Sequence, residues 1–397
     1  MTMSAPDPIV IVGAKRTPMG AFQGELSALT APQLGARAIE AALADAGVAA
    51  ADVEEVVMGC VLPAGQGQAP ARQASIGAGI PMSTGCTTIN KMCGSGMKAA
   101  MFAHDSIAAG TNELMIAGGM ESMTNAPYLL SKAREGYRMG HGQLLDHMFI
   151  DGLEDAFEPG RLMGSYAEDC AERFQFTREA QDAFAIESLR RANLAGVDGT
   201  FAAELVSLEV TQRKQTHTID SDEQPRNARP EKIPSLRPAF RENGTVTPAN
   251  SSSISDGGAA LVMMRRSQAE QRGLKIKAII HGHATHAQEP AWFTTAPIGA
   301  IHTLLNKVNW NSADVDLFEV NEAFAVVTMA AMRELDLPYD KVNVHGGACA
   351  LGHPVGASGA RIIVTLLNAL KKYDLKRGVA SLCIGGGEAT AMAIERV

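Results

Sequence analysis

The beginning and the end of the 397-residue sequence carry the same succession of α/β signals. Three pairs of segments match. The apolar run at 53–59 matches the one at 315–321, and the glycine-containing helix start at 93–97 matches the one at 356–360. The third pair, 116–121 with 384–388, consists of apolar residues followed by glycines and a glutamate. A repeat this long is not a solenoid unit. It predicts two similar α/β halves around a pseudo-twofold axis, with the strand ends and helix starts of both halves near one cleft, a favoured place for a site.

Alternating strand and helix signals fill both halves, which indicates a mostly parallel sheet covered on both faces. Predicted strands and helices alternate, with strands at 8–13, 53–61, 113–119, 255–264 and 277–281 and helices at 31–46 and 68–79. From about 121 to 250 charged and turn-forming residues dominate, and a helix pair at 168–193 is the clearest regular structure. We therefore expect an N-terminal half (1–120 plus 251–274), a loop domain (121–250) that folds over the body, and a C-terminal half (275–397).

Composition excludes several classes of function. A net charge of −8 argues against a nucleic-acid partner. No apolar window reaches the roughly 18 residues of a membrane span, and the start shows no signal peptide. Six cysteines are scattered without a paired spacing or a Cys/His cluster, so we expect reduced thiols, a cytoplasmic protein and no metal site.

Cys93 lies in Asn-Lys-Met-Cys-Gly-Ser-Gly, just before a predicted helix. A helix start offers free N–H groups and a positive dipole end, and both favour a nucleophilic thiolate. Gly94 and Gly96 allow a substrate or a backbone to approach closely. The alternative is that Cys93 is a small buried apolar residue, as free cysteines often are.

Three later stretches carry further candidates. Asn321 follows a predicted strand at 316–320, where it could polarise a carbonyl or hold a water, or simply cap a helix or turn. His353 is surrounded by glycines, which suits a ligand that must come close. Cys383 ends a buried strand and could equally be core packing, and Gly385 offers an unobstructed backbone N–H for an oxyanion hole.

Taken together, the stretches 90–96, 321–324, 352–359 and 383–387 resemble the thiolases, and within them the short-chain acetoacetyl-CoA thiolases (acetyl-CoA acetyltransferases). They occur in the same order from the first strand to the C-terminus, so the resemblance covers essentially the whole chain. It implies a duplicated αβαβα layered fold with an inserted loop domain, and a dimer or tetramer. It also implies the interconversion of two acetyl-CoA with acetoacetyl-CoA and CoA, with no cofactor beyond these thioester substrates.

The resemblance implies a role for each candidate. Cys93 would carry the acyl group, His353 would take its proton, and Cys383 would be the second acid/base. Asn321, through a water, and His353 would form one oxyanion hole, and the N–H groups of Cys93 and Gly385 the other.

Substrate contacts follow from the same resemblance. They would come from Ser252 and Phe240 at the pantetheine, Arg226 at the adenine end, and Met163, Phe293, Ala323 and Phe324 at the acyl group. For Arg226 a solvated loop face is an equal alternative.

Two departures affect the acyl pocket. Leu162 stands where many of these thiolases carry histidine, and Phe293 where methionine is common. A degradative 3-ketoacyl-CoA thiolase for longer chains is therefore the nearer alternative. More distant alternatives are a non-catalytic acyl-CoA binder and a ketoacyl-carrier-protein synthase, whose Cys-His-His set is not matched here.

Overall fold

The computed structural model describes residues 7–212 and 214–397; residues 1–6 and 213, which the expected domain division includes, lie outside it. Its fourteen strands are β1 (Ile9–Arg16), β2 (Gly20–Ala21), β3 (Glu55–Gly59), β4 (Gly85–Ile89), β5 (Leu114–Ser122), β6 (Tyr128–Leu130), β7 (Leu144–Asp146), β8 (Leu208–Gln212), β9 (Gln215–Ile219), β10 (Ser255–Arg265), β11 (Ala278–Ala287), β12 (Leu317–Val320), β13 (Arg377–Ile384) and β14 (Glu388–Arg396). Its eleven α-helices are α1 (Ala31–Ala46), α2 (Pro70–Gly77), α3 (Ser95–Ala109), α4 (Met163–Phe174), α5 (Arg178–Val197), α6 (Glu223–Asn227), α7 (Arg266–Gln271), α8 (Ala296–Val308), α9 (Ala325–Glu334), α10 (Ala348–Leu351) and α11 (Ser358–Lys372).

The strands of the two halves follow the same plan. In the N-terminal half the order is β4-β3-β5-β10-β1, with β3 parallel to β4 and β5, and β10 antiparallel to β5 and β1. In the C-terminal half the order is β12-β13-β14-β11, with β12 parallel to β13, and β14 antiparallel to β13 and β11. The halves join where β1 pairs briefly with β11. The predicted duplication is confirmed. The expectation of a mostly parallel sheet is wrong, because five of the eight strand pairings along this order are antiparallel and three are parallel.

One of the three repeat pairs is aligned differently in the structure. Since β5 follows α3 at the same interval as β13 follows α11, Met120 corresponds to Cys383 and Ile116 to Val379. The sequence match of 116–121 with 384–388 is therefore shifted, because it aligned glycines that have different structural roles in the two halves. In the C-terminal half the glycines follow β13 and form the turn into β14, where Gly386 and Gly387 have positive φ angles.

Side-chain alternation along the strands explains the layers. On β1, Ile9 and Ile11 join a core cluster that includes residues of α3 and α11, while Val10 and Val12 join a second cluster with α1. Both faces of the strand are therefore buried, as the continuous apolar run predicts. In the C-terminal half, α8 covers one face of the sheet, and α11 packs on the other face in the same cluster as α3. The helices α3 and α11 thus form the middle layer between the two halves of the sheet.

The middle helices touch through a reciprocal pair of glycines. A Cβ on Gly96 would lie 2.7 Å from the backbone N of Ala360, and a Cβ on Gly359 would lie 2.3 Å from the backbone N of Met97. Real Cβ atoms do not approach backbone atoms this closely, so neither position accepts a side chain without moving a helix. This contact fixes the start of α3, beside Cys93, against the start of α11.

We expect Gly359→Ala to reduce the free energy of unfolding by about 3 kcal/mol, the upper end for overpacking of a core. Gly196→Ala is the matched control, because this glycine lies in the last turn of α5 and its Cβ would meet no atom within 4 Å. That variant should be neutral or slightly more stable. Urea unfolding of both variants measures the difference, and equal midpoints would show that the helix contact is not tight.

The segment between β5 and β10 covers the body rather than extending the sheet. It contains the hairpins β6/β7 and β8/β9 and the helices α4 to α6. A buried group of three charged residues ties it to β1: Arg16 Nε lies 2.6 Å from Glu204 Oε1, and Arg16 Nη1 lies 2.7 Å from Asp222 Oδ1. Removing Arg16 would leave two buried carboxylates uncompensated, so this connection holds the covering segment in place.

The predicted elements agree with the structure to within a few residues at most ends. Helix α1 covers the predicted range, β3 is shorter than predicted, and the helix pair in the covering segment is longer. Of the helices that the structure describes, none has both the length and the apolar character needed to cross a membrane.

Candidate active site

Cys93 lies in a tight turn between β4 and α3. Gly94 N–H donates to Lys91 O (3.0 Å), Ser95 N–H donates to Met92 O (2.9 Å), and the Ser95 hydroxyl closes the turn on Met92 O (2.7 Å). Met92 has a φ of 46°, a left-handed conformation that costs free energy in a residue with a side chain. Such strain beside a nucleophile is typical of a side chain held in one orientation, and Cys93 is half-buried at this point.

The electrostatics of Cys93 correct one expectation. Burial raises the pKa of its thiol to about 11, although the nearby backbone N–H groups of Gly385 and of Cys93 itself act to lower it. The expected preference for a thiolate is wrong for the resting site, because desolvation outweighs the helix start and the two donors. The cysteine therefore needs a base to remove its proton.

His353 is an available base. Its Nδ1 lies 2.6 Å from Ser358 Oγ, and that hydroxyl donates to Pro354 O at 3.0 Å. The hydroxyl can therefore only accept from Nδ1–H, which leaves the lone pair on Nε2. Nε2 is buried and has no hydrogen-bond partner in the described part of the chain. Burial, followed by the charge of Arg361, lowers the pKa of His353 to about 3, so the imidazole is neutral at physiological pH.

Cys383 is the second buried thiol of this region. It is the penultimate residue of β13, it is fully buried, and it packs in the same cluster as Phe293, Ala323 and Phe324. Burial, and then the nearby charge of Cys93, raise the pKa of Cys383 well above its ordinary value. Cys383 thus belongs to the core and also lies near Cys93, so the two sequence interpretations are compatible.

Asn321 follows β12 directly, but it does not cap a helix. Helix α9 begins only at Ala325, and its N-cap residue is Phe324. Arg361 Nη2 donates to Asn321 Oδ1 at 3.3 Å, which fixes the amide so that Nδ2 is the free end. Nδ2 is buried and has no partner among the described residues. A buried donor without a partner costs free energy, and a bound water or substrate oxygen would satisfy it.

A cavity of about 350 Å³ connects most of the predicted site residues. Cys93, His353 and Gly385 line it together with all but one of the predicted substrate contacts, which are Met163, Phe240, Ser252, Phe293, Ala323 and Phe324. Cys383 and Asn321 are buried outside its lining. The site is therefore an apolar pocket with a few polar atoms, the usual form of a small-molecule site.

Arg226 is the predicted contact that the structure places elsewhere. Its Nη2 lies 2.5 Å from Glu25 Oε2, its Nε donates to Asp222 O at 3.1 Å, and it lines a separate cavity. Its assignment to the adenine end of coenzyme A stays a prediction.

Several cavity residues were not singled out from the sequence. They include Phe149, Gly152 and Leu153 in a π-helical turn at 149–153, and Ser251, Ser253, Ile254 and Val355 beside predicted positions. A π-helical turn has no sequence signal of its own. Ser358, the partner of His353, lies in the glycine-rich stretch and could have been found as a hydroxyl within one turn of that histidine.

Glu121 joins the two halves next to this site. It accepts backbone N–H groups from Val61 (2.8 Å) and Leu62 (3.1 Å) of the N-terminal half and from Gly356 (2.9 Å) of the C-terminal half. Burial raises its pKa to about 7 in spite of these donors. The carboxylate therefore positions the loop that carries His353.

Two family models match the chain, "Thiolase, N-terminal domain" over residues 9–267 and "Thiolase, C-terminal domain" over residues 274–396. The chain belongs to the thiolase family. The resemblance in the four sequence stretches is thus confirmed.

Related thiolases agree over almost the full length. The chain is 51% identical to acetyl-CoA acetyltransferase 2 of Arabidopsis thaliana, with 98% of this chain and 97% of the relative covered. It is 46% identical to acetyl-CoA acetyltransferase of Cupriavidus necator, with 98% and 99% covered. Among solved structures, Bacillus anthracis acetyl-CoA acetyltransferase superposes with a TM-score of 0.96 at 38% identity, with 99% of this chain and 100% of that chain covered. The Acat5 thiolase of Ascaris suum, solved with coenzyme A, superposes with a TM-score of 0.93 at 41% identity, with 98% and 100% covered.

Proposed function

We propose that this thiolase interconverts two acetyl-CoA with acetoacetyl-CoA and CoA through an acetyl-Cys93 intermediate. One observation carries the proposal: the Cys93 sulfur, with the backbone N–H groups of Gly385 and Cys93 near it, lies in a cavity that His353 and Gly385 also line. An acyl group bonded to this sulfur would place its carbonyl oxygen beside the same two donors. The names of the relatives and the shared family support acetyl-CoA as the substrate.

The first half-reaction loads the enzyme. Nε2 of His353 takes the Cys93 proton, and the resulting thiolate attacks the acetyl-CoA carbonyl, whose oxygen becomes negative. The C–S bond to CoA then breaks, and the departing CoA thiolate takes a proton from the thiol of Cys383. The raised pKa values of both cysteines mean that each thiol starts protonated, so His353 must take the Cys93 proton for the attack to begin.

The second half-reaction forms the carbon–carbon bond. The Cys383 thiolate removes a methyl proton from a second acetyl-CoA, and the carbanion attacks the acetyl carbon on Cys93. The bond from that carbon to the Cys93 sulfur breaks, and the His353 imidazolium returns its proton to Cys93. Each proton and electron pair is thereby restored, and the reverse sequence is thiolysis.

Asn321 would act on the enolate formed in this step. Its Nδ2, held by the Arg361 contact to Oδ1, would donate through a water to the thioester oxygen of the second acetyl-CoA, together with His353. A fixed dipole of this kind stabilises charge without reorganising during the reaction.

Intact-protein mass after a brief incubation with acetyl-CoA tests the proposal. We expect one added acetyl group per chain, and its removal when CoA is added. A chain that binds acetyl-CoA tightly but neither gains the acetyl group nor cleaves acetoacetyl-CoA would be a non-catalytic acyl-CoA binder, and the proposal would be wrong.

The acyl pocket favours short chains in our proposal because Phe293 closes it. This ring is buried, lines the cavity and packs edge-to-face on Tyr166 with a centroid distance of 6.2 Å. We expect Phe293→Ala to raise the ratio of kcat/KM for an eight-carbon 3-ketoacyl-CoA to kcat/KM for acetoacetyl-CoA by roughly tenfold. An effect of this size is usual when a hydrophobic pocket gains contacts to a few methylene groups.

Phe174→Ala is the control for this prediction, since Phe174 packs in the same cluster but does not line the cavity. The ratio of the two kcat/KM values should stay at that of the wild type. An unchanged ratio in Phe293→Ala would show that Phe293 does not set chain length and would favour a degradative thiolase of broader range.

We further propose a homodimer or homotetramer. Among the described residues β4 is an edge strand that pairs only with β3, and it is partly exposed, so this edge is open to pairing with a second copy. Light scattering after size exclusion measures the state. The cytoplasmic location and the division into two halves and a loop domain at 121–250 remain predictions.

A further inference from the structure

Away from the active-site cavity, two histidines and a carboxylate from distant parts of the chain converge. His104 and Asp105 lie toward the end of α3, and His283 lies on β11. Asp105 Oδ1 is 3.0 Å from His104 Nδ1 and 2.9 Å from His283 Nε2. Their ligand atoms all lie within 4.8 Å of one another. Positions this far apart form no recognisable spacing, which is why the sequence predicted no metal site.

We infer that His104, Asp105 and His283 bind one divalent transition-metal ion, with Zn²⁺ as the best match. Metal–nitrogen and metal–oxygen bonds of about 2.0–2.2 Å place neighbouring ligand atoms roughly 3 Å apart, close to the two separations between Asp105 and the imidazoles. Two imidazoles with one carboxylate suit zinc and its neighbours in the first transition row, whereas calcium and magnesium prefer an all-oxygen set.

Burial and charge fit this assignment. His283 is buried, and Nε2 is the ring nitrogen that faces Asp105. The Asp105 side chain is 57% exposed, which leaves room for water as a further ligand. Lys307 lies close by, but its Nζ donates to the carbonyl O of His283. On binding, each histidine carries its proton on the other ring nitrogen, and the metal replaces both hydrogen bonds to Asp105.

The proposed metal site lies away from the catalytic residues. With a rise of 1.5 Å per residue, His104 lies roughly 14 Å along α3 from its first residue, Ser95. Because α3 belongs to the N-terminal half and β11 to the C-terminal half, a bound ion would connect the halves without touching the substrate. Its expected effect is on stability, since a ligand that binds only the folded state shifts unfolding.

Zinc titration by calorimetry tests the inference, with the chelator-treated full chain carrying Cys93→Ala so that the reactive thiol does not compete for zinc. We expect one zinc ion per chain and a higher melting temperature with zinc. His104→Gln and His283→Gln should each weaken binding by at least roughly tenfold, as the loss even of a supporting residue does. His281→Gln is the matched control, a histidine of the same strand paired with one carboxylate, Glu395, at 2.8 Å, and its affinity should not change.

Equal zinc affinity in the parent, His104→Gln and His283→Gln would overturn the inference, and so would a parent that binds no zinc at submillimolar concentration. If His283→Gln does not fold, Asp105→Asn decides instead, because its largely exposed side chain supports no core packing. Unchanged zinc affinity in that variant would also overturn the inference.

Discussion

Cys93→Ala is expected to lower turnover by roughly 10⁴-fold or more and to abolish acetylation of the protein. Without the sulfur, no acyl group can form a thioester with the protein, and the N–H groups of Gly385 and residue 93 have no thioester oxygen to stabilise. The rate of acetoacetyl-CoA thiolysis and the intact mass after incubation with acetyl-CoA measure the two effects. The free energy of unfolding should change by roughly 1 kcal/mol or less, because the side chain is small and half-buried.

Cys86→Ala provides the comparison for this variant. Cys86 is also a half-buried free cysteine, on β4 a few residues before the turn, and its thiol donates to Thr84 O at 3.5 Å. It should keep both acetylation and turnover. Thiolysis by Cys93→Ala at more than about a hundredth of the wild-type rate would contradict the assignment of the nucleophile.

Cys383→Ser should separate the two half-reactions. A serine hydroxyl is far too weak an acid to form the base that removes a methyl proton, so condensation should fall by roughly 10²–10⁴-fold, the usual contribution of general acid–base catalysis. Acetylation of Cys93 should persist at a measurable rate, because water can protonate the departing CoA thiolate. Deuterium exchange from solvent into the methyl group of acetyl-CoA reports the missing step directly.

Cys170→Ser is matched to this variant because it puts the same hydroxyl into the same apolar cluster. It should retain methyl exchange, which shows that polarity in the cluster is not the cause of the loss. If Cys383→Ser exchanged the methyl protons at the wild-type rate, another group would be the base, and His353 would be the next candidate.

The fold was largely predictable because its signals are periodic and repeated. Apolar runs such as 9–12 and 259–264 lie on strands buried on both faces, and the repeat of helix and strand required two similar halves. The shifted alignment of 116–121 with 384–388 was wrong because glycines were matched by type. Gly119 is close to the backbone of Gly356, whereas Gly386 forms a turn.

The gathering of the candidate residues in one cavity was predictable by residue type and by order, but the electrostatics of the candidate site were not. Residues such as Cys93, His353 and Phe293 share one cavity, as the motifs indicated. The pKa of Cys93 depends on how completely the pocket excludes water, which no local pattern reports. The histidine tautomer likewise depends on the Ser358 hydroxyl, and a cluster such as His104 with His283 exists only after folding.

The duplication limits where a second nucleophile could be introduced. In the repeat, Gly356 occupies the place that Cys93 holds in the other half. A Cβ at Gly356 would lie 2.6 Å from Glu121 Oε2 and 2.9 Å from Met120 O. A cysteine at 356 would therefore displace the carboxylate that joins the halves, so the symmetry of the fold does not extend to a second nucleophile.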